Sequence, residues 1–233
     1  MRGHIPHARS LAELLKPERY QTYNINQGGV MKAVGGFGVL MACVLLSGCG
    51  IREQTVRIHP PATSIVSPDA PGIVIGAITD ARTPDPTLNL SVAAQTRNVG
   101  GSAHSGNGIA VNLESGTVTD TMRQIVASSL QNAGYRLLQG AQGAPRVDVR
   151  ITQFEVKMPF QFWRAAFYNA RMLADITADV TITTPTGTRT FTVSGHGYNV
   201  YQRVVAQNWQ IALDKAVADF SNNLRAQAIE ARQ

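Results

Sequence analysis

The sequence predicts an α+β fold, a two-layer sandwich whose sheet is mostly antiparallel and whose two amphipathic helices pack on one face. Three observations carry this expectation. Two stretches, 115–133 and about 204–228, repeat apolar residues at helical spacing, while several segments before and between them alternate with a period of two. The order runs strand, helix, strands, hairpin, helix, and two apolar helix faces need a sheet to cover. No internal repeat interrupts it.

Taken in order, Gly72 to Asp80 (GIVIGAITD) reads as the first strand, rich in β-branched residues and largely buried on both faces. Residues 81–108 hold two prolines and then a Gly/Ser/Asn-rich run from Asn98 to Gly108, which predicts a long mobile loop. Ser115 to Ala133 is a helix, because Val118, Met122, Ile125, Val126, Leu130 and Ala133 form one apolar stripe. Thr117 with Asp120 three residues on supplies an N-terminal cap, and Gly134 closes the other end. Tyr135 to Leu138 begins a short strand.

Arg146 to Met158 alternates in two phases: Val147, Val149 and Ile151, then Phe154, Val156 and Met158. The phase flip near Gln153 predicts a bulge, since a strand with one buried face cannot otherwise change sides. Ile176, Ala178, Val180 and Ile182 alternate on the next strand, Pro185-Thr186-Gly187 turns the chain, and Phe191 and Val193 run back as a hairpin. In the last helix Val205, Trp209, Leu213, Ala216, Val217, Phe220 and Leu224 mark the buried face.

The start of the chain reads differently. Met31-Lys32 is followed by an uncharged apolar run from Ala33 to Leu46, which ends in Leu46-Ser47-Gly48-Cys49. The run has the length of a signal-peptide core, roughly 7–15 residues, and falls short of the roughly 20 that span a bilayer. Its end resembles the lipobox of bacterial lipoproteins. The organisation that follows is an upstream extension (1–30), a lipoprotein signal peptide (31–48), a Pro-rich tether (49–71) and a periplasmic α+β domain (72–230). The lipobox resemblance implies a covalent diacylglycerol on the Cys49 thiol, an acyl chain on its amine, and no other cofactor. One acyl chain is a marginal anchor at about 0.8 kcal/mol per buried CH₂, and several chains are a stable one. Gly50, rather than Asp, follows the cysteine, and by resemblance to the enterobacterial sorting rule this implies the outer membrane.

Composition agrees with such a protein. The first 48 residues hold five of the 21 basic and two of the 15 acidic residues, which leaves 16 and 13 and a net charge of +3 on the remaining chain. So small and scattered an excess gives no basis for nucleic-acid binding. Of the two cysteines, Cys43 lies in the signal segment and Cys49 is consumed by lipid. The processed domain then has neither a free thiol nor a disulfide, which excludes thiol chemistry and Cys-based metal sites.

A strand ending Ile78-Thr79-Asp80-Ala81-Arg82 is followed by a polar loop and by a helix ending Leu130-Gln131-Asn132-Ala133-Gly134-Tyr135. With a long strand, a terminal helix and the lipobox, this resembles the YajG-type family of bacterial lipoproteins. More loosely it resembles the sandwich domains of LpoB-like and transport auxiliary lipoproteins. The resemblance covers most of residues 49–230 through short motifs, and departs at the loop 83–114 and the aromatic segment 159–172. It implies location and fold more than activity.

No constellation for catalysis or metal binding emerges. His59, His104 and His196 show no ligand spacing and read as surface histidines. The Gly100 to Gly108 run lacks the Lys-Ser/Thr of a phosphate loop, and no serine sits in a nucleophile elbow. Asp175 and Asp179 share a strand face about 13 Å apart, too far for paired acid/base work. Asp80 and Arg82 read as a structural ion pair at a strand end. Phe160, Phe162, Trp163, Phe167 and Tyr168, with Arg164 and Arg171 beside them, either extend the core or form a partner-binding or membrane-surface patch. The expectation is a non-enzymatic, lipid-anchored outer-membrane lipoprotein whose periplasmic domain binds or scaffolds an envelope component, with an envelope protein as its expected partner. The alternative is a periplasmic carrier of a small hydrophobic or lipid ligand.

Overall fold

A computed structural model describes residues 52–231 except 89, 105–106, 141–142, 160–169 and 202–203. All described elements belong to the unit Gly48–Gln233. Eight strands form one sheet: β1 (Arg52–Val56), β2 (Gly72–Asp80), β3 (Asn98–His104), β4 (Asn107–Leu113), β5 (Arg136–Leu138), β6 (Arg146–Lys157), β7 (Ala170–Thr184) and β8 (Gly187–Tyr201). Three helices accompany them: the single turn α1 (Val92–Gln95), α2 (Val118–Asn132) and α3 (Ala206–Glu230).

β6 is the hub of the sheet. Val147, Val149 and Ile151 are buried, then Phe154 and Val156, and the register shifts between Ile151 and Gln153, where the sequence predicts a bulge. One edge of β6 pairs antiparallel with β7 from Arg146 to Lys157. Its other edge is shared: β2 runs parallel to it over Arg146 to Ile151, and β3 runs parallel over Val156 and Lys157. β2 and β3 therefore lie end to end along one neighbour, and residues 81–97 leave the sheet between them.

The sheet is mixed, which corrects the mostly antiparallel expectation. The pairs β1–β4, β2–β5, β2–β6 and β3–β6 are parallel, while β3–β4, β6–β7 and β7–β8 are antiparallel. Alternation reports which face of a strand is buried. It carries no information about direction, which the long connections decide: α2 carries the chain from β4 back to β5 beside β2.

Two loop expectations are also corrected. Asn98–His104 and Asn107–Leu113 pair as the strands β3 and β4 where a mobile loop was expected over Asn98 to Gly108. The buried Asn98 side chain replaces missing ladder bonds: its amide accepts from the Gly100 N–H at 2.9 Å and donates to the Val111 and Gly100 carbonyls at 3.1 Å. Gly100 has φ +101°, and a β-carbon there would collide with the Val156 carbonyl, so this bulge needs glycine. Of the stretch expected as a tether, residues 52–56 form β1, parallel to β4. The chain after β1 is held by the Arg57 N–H donating to Gln210 Oε1 at 2.7 Å and the Ser64 N–H to Asn132 Oδ1 at 2.8 Å.

α2 begins in the capping box that the sequence announces. Thr117 Oγ1 accepts from the Asp120 N–H at 3.2 Å, and Asp120 Oδ2 accepts from the Thr117 N–H at 3.0 Å. It ends at Gly134 with φ +83°, after which the buried Tyr135 donates its hydroxyl to the Ala228 carbonyl of α3 at 3.0 Å. The stripes of α2 and α3 join the alternate residues Met172, Ala174, Ile176, Ala178 and Val180 of β7 in one core. Toward the turn, the intervening residues of the β7–β8 hairpin are polar and pair across strands, as in Thr181–Thr190 at 3.0 Å and Thr192–Asp179 at 2.8 Å.

α3 lies on β8 more closely than side chains allow. A β-carbon on Gly195 would collide with the Ala216 carbonyl and the Phe220 amide, and one on Gly197 with the Ala212 carbonyl. Among the described strands β8 pairs only with β7, and its other edge bonds this helix. Three α3 side chains four residues apart satisfy that edge. Lys215 Nζ donates to the Tyr198 carbonyl at 2.9 Å, Asp219 Oδ2 accepts from the His196 N–H at 2.9 Å, and Asn223 Nδ2 donates to the Ser194 carbonyl at 2.8 Å. Four helical residues rise about 6 Å, close to the roughly 6.6 Å between alternate strand residues, so the two spacings match over this length.

Candidate functional site

The gap between the end of β2 and the start of β3 exposes a short length of β6 whose backbone would lack partners. Arg82 fills it. Its Nε and Nη2 donate to the two Asp80 carboxylate oxygens, both at 2.8 Å. Nη1 donates to the Asn98 carbonyl at 2.8 Å and the Phe154 carbonyl at 3.0 Å, and Nη2 also reaches the Gln95 carbonyl at 3.4 Å. These contacts occupy all five guanidinium donors, in a side chain only 14 % exposed. Burial raises the Asp80 pKa, but the hydrogen bonds and charge of Arg82 outweigh it and hold the carboxyl below the ordinary range.

A cleft of about 690 Å³ opens beside this pair, lined by Asp80, Arg82, Asn98, Gln153, Glu155 and Thr177 among others. Pro84, Leu90, Val92 and Phe154 supply its apolar wall, and its cation has no donor left for a ligand. The Asp-x-Arg motif is thus a clamp that joins two strands to a third, in line with the structural ion pair expected from the sequence.

Farther along the sheet face, Lys157 Nζ bridges Glu155 at 2.7 Å and Asp175 at 2.8 Å. Asp175 also bonds the His196 Nδ1 at 2.9 Å. Those two carboxylate bonds push the Lys157 pKa up. Burial raises the Asp175 pKa, and Lys157 and His196 more than reverse it, so the carboxyl titrates below its usual value. Asp179 belongs to a different network, with Thr192 and Arg150. The two aspartates that share this strand therefore serve separate clusters. Among the described residues no hydroxyl or thiol bonds the His196 ring, so the Asp–His pair lacks a nucleophile to activate. Nor do the described residues contain a group of three or more His, Cys, Asp or Glu able to hold a metal ion.

Of the residues singled out from the sequence, Cys49 and the aromatic set Phe160, Phe162, Trp163, Phe167 and Tyr168 lie outside the described residues. His59 meets Asp214 at 3.2 Å on the surface. What sequence reasoning missed is a cluster at the β8 C-terminus and the start of α3. Tyr198, Val200 and Val205 are 57, 48 and 43 % exposed. Lys215 Nζ lies 5.2 Å from the centre of the Tyr198 ring and the Arg171 guanidinium 5.9 Å from it, within cation–π range. The sequence signal was faint: Tyr198 and Val200 occupy the polar-facing phase of β8, where the preceding residues are Thr190, Thr192, Ser194 and His196.

The chain matches no protein-family model, and no curated protein matches it. Solved structures similar to it include the following three. An uncharacterized protein shares 9 % identity, with 78 % of this chain and 97 % of that chain covered, at a TM-score of 0.40. A minor lipoprotein from Acinetobacter baumannii shares 18 % identity over 49 % of this chain and 87 % of its own, at 0.33. Rare lipoprotein B from Shewanella oneidensis shares 12 % over 47 % and 77 %, at 0.26.

Proposed function

We propose that this chain is a bacterial lipoprotein of the outer membrane, anchored by lipid on Cys49, whose periplasmic domain binds or scaffolds an envelope protein and catalyses no reaction. The observation that carries the reading is Leu46-Ser47-Gly48-Cys49 at the end of a short apolar run, followed three residues later by the first strand of the domain. Among the described residues no helix is long and apolar enough to cross a membrane, so attachment through the domain's helices has no support. The Asp80–Arg82 clamp and the Asp175–His196 pair are occupied by internal contacts, which favours binding over catalysis. The cleft at the clamp does not single out the carrier alternative, because Pro84, Leu90, Val92 and Phe154 share its lining with Asp80, Arg82, Asp85 and Glu155.

The test compares wild type with Cys49→Ala in intact cells by fractionation, mass spectrometry of the residue-49 peptide and crosslinking. The reading expects a lipid-modified peptide in the outer-membrane fraction and one dominant envelope partner that disappears with the anchor. Unchanged membrane attachment of Cys49→Ala overturns the anchor. An anchored protein that crosslinks to nothing overturns the scaffold.

A further inference from the structure

We infer that the end of the domain bearing Tyr198, Val200 and Val205 rests on the bilayer that holds the Cys49 lipid, with Arg171 and Lys215 against anionic phospholipid headgroups; this rests on the anchoring proposed above. The first argument is reach. Two residues, Gly50 and Ile51, separate Cys49 from Arg52, so across these three steps their Cα atoms are at most about 11 Å apart however extended the chain. The domain has no long leash and must present to the membrane whatever surrounds the start of β1.

The second argument is register. One row of paired residues crosses the sheet through Glu53, Ala110, Gly101, Lys157, Leu173 and Tyr198. Arg52 lies one step beyond this row on the Cys49 side. Arg171 and Val200, which are partners of each other, lie two steps beyond it on the same side. The start of α3 closes this end from the helix layer, where Gln54 Nε2 of β1 donates to the Val204 carbonyl at 3.4 Å, next to Val205. The start of β1, the exposed apolar residues and the cations therefore share one end of the sheet.

The third argument is chemistry. Arg171 and Lys215, like Arg52, Arg97, Arg123, Arg136 and Arg225, form no ion pair with a described residue, and of these it is Arg171 and Lys215 that flank the exposed Tyr198 ring. Two unpaired cations around an exposed tyrosine suit a headgroup layer, where tyrosine rings settle and basic side chains reach phosphate. An aqueous face would leave Val200 and Val205 wetted, whereas a bilayer surface covers them.

Removal of the signal segment and lipidation of Cys49 leave an introduced cysteine as the one free thiol. The full lipidated chain, with an environment-sensitive fluorophore at Val200→Cys, Val205→Cys or Thr190→Cys, is reconstituted in vesicles of phosphatidylethanolamine and phosphatidylglycerol. Thr190 lies ten residues back along β8, about 33 Å from Val200. The inference expects blue-shifted emission, quenched by spin-labelled lipid, at 200 and 205 and not at 190. Protein that floats with the vesicles but shows no shift at 200 and 205, or an equal shift at 190, overturns the inference and leaves the anchor standing. Protein that fails to float overturns the anchor, and this orientation with it.

Discussion

Gly197 lies directly beneath the carbonyl of Ala212, with no room between them for a β-carbon. Gly195 stands in the same relation to Ala216 and Phe220 one rung along. The two glycines let the backbone of α3 settle on β8, and that closeness brings Lys215, Asp219 and Asn223 within reach of the strand edge.

Gly197→Ala is therefore expected to cost at least about 1–3 kcal/mol, because the new methyl meets helix backbone that cannot turn aside. Gly187→Ala, where nothing lies within 4 Å of the added carbon, should stay within about 0.5 kcal/mol of wild type. Urea unfolding of the two variants makes the comparison, and equal midpoints would show that the helix rides higher than described.

Removing the edge contacts should change association as well as stability. Each hydrogen bond in the Lys215, Asp219 and Asn223 series is worth about 0.5–1.5 kcal/mol. The triple alanine variant also uncovers strand backbone that can pair with another copy. Sedimentation velocity should show concentration-dependent oligomers for this variant; a strictly monomeric triple variant would mean the edge is protected by other means.

At the clamp, Arg82→Lys keeps the charge but not the fork. An ammonium has three donors and cannot serve Asp80, Asn98, Phe154 and Gln95 together. A loss of about 2–4 kcal/mol is expected from the buried groups left unpaired, measured by denaturant unfolding. A loss no larger than that of a surface arginine would show that β2 and β3 hold to β6 without it.

Acid should release the same clamp. Because the folded-state pKa of Asp80 lies below its ordinary value of 3.8, its contribution is present in full above that value and is lost as pH falls through the lower folded value. Asp175 behaves likewise through Lys157 and His196. Asp80→Asn and Asp175→Asn should each start less stable at neutral pH and lose less stability on acidification than wild type. Parallel stability curves for wild type and variants across the acid range would contradict this.

How much of this could be read in advance depended on how local the cause was. The helix α2, its Thr117–Asp120 box, the bulge near Gln153 and the β7–β8 hairpin are each encoded within a few residues, and all were legible. β3 and β4 were not, because their Asn- and Gly-rich residues have low strand propensity and their order comes from Asn98 bonding Gly100 and Val111 and from β6 alongside. β1 was hidden by the prolines that follow it. The Asp80–Arg82 pair was visible, but its carbonyl partners sit 13 to 72 residues away from Arg82. Gly195 and Gly197, alternating within a strand, did carry a readable sign of close backbone approach.

The three rungs between α3 and β8 also carry a polarity. From Lys215 to Asn223 the helix offers donor, acceptor, donor, and from Tyr198 to Ser194 the strand answers acceptor, donor, acceptor. Each of those strand residues presents both its N–H and its carbonyl on this edge, so a helix slid by one rung would still find donors and acceptors there. Shape refuses the slide: it would carry the backbone of α3 off Gly195 and Gly197 and onto the side chains of Val193 or Asn199. Two glycines thus fix where a 25-residue helix comes to rest.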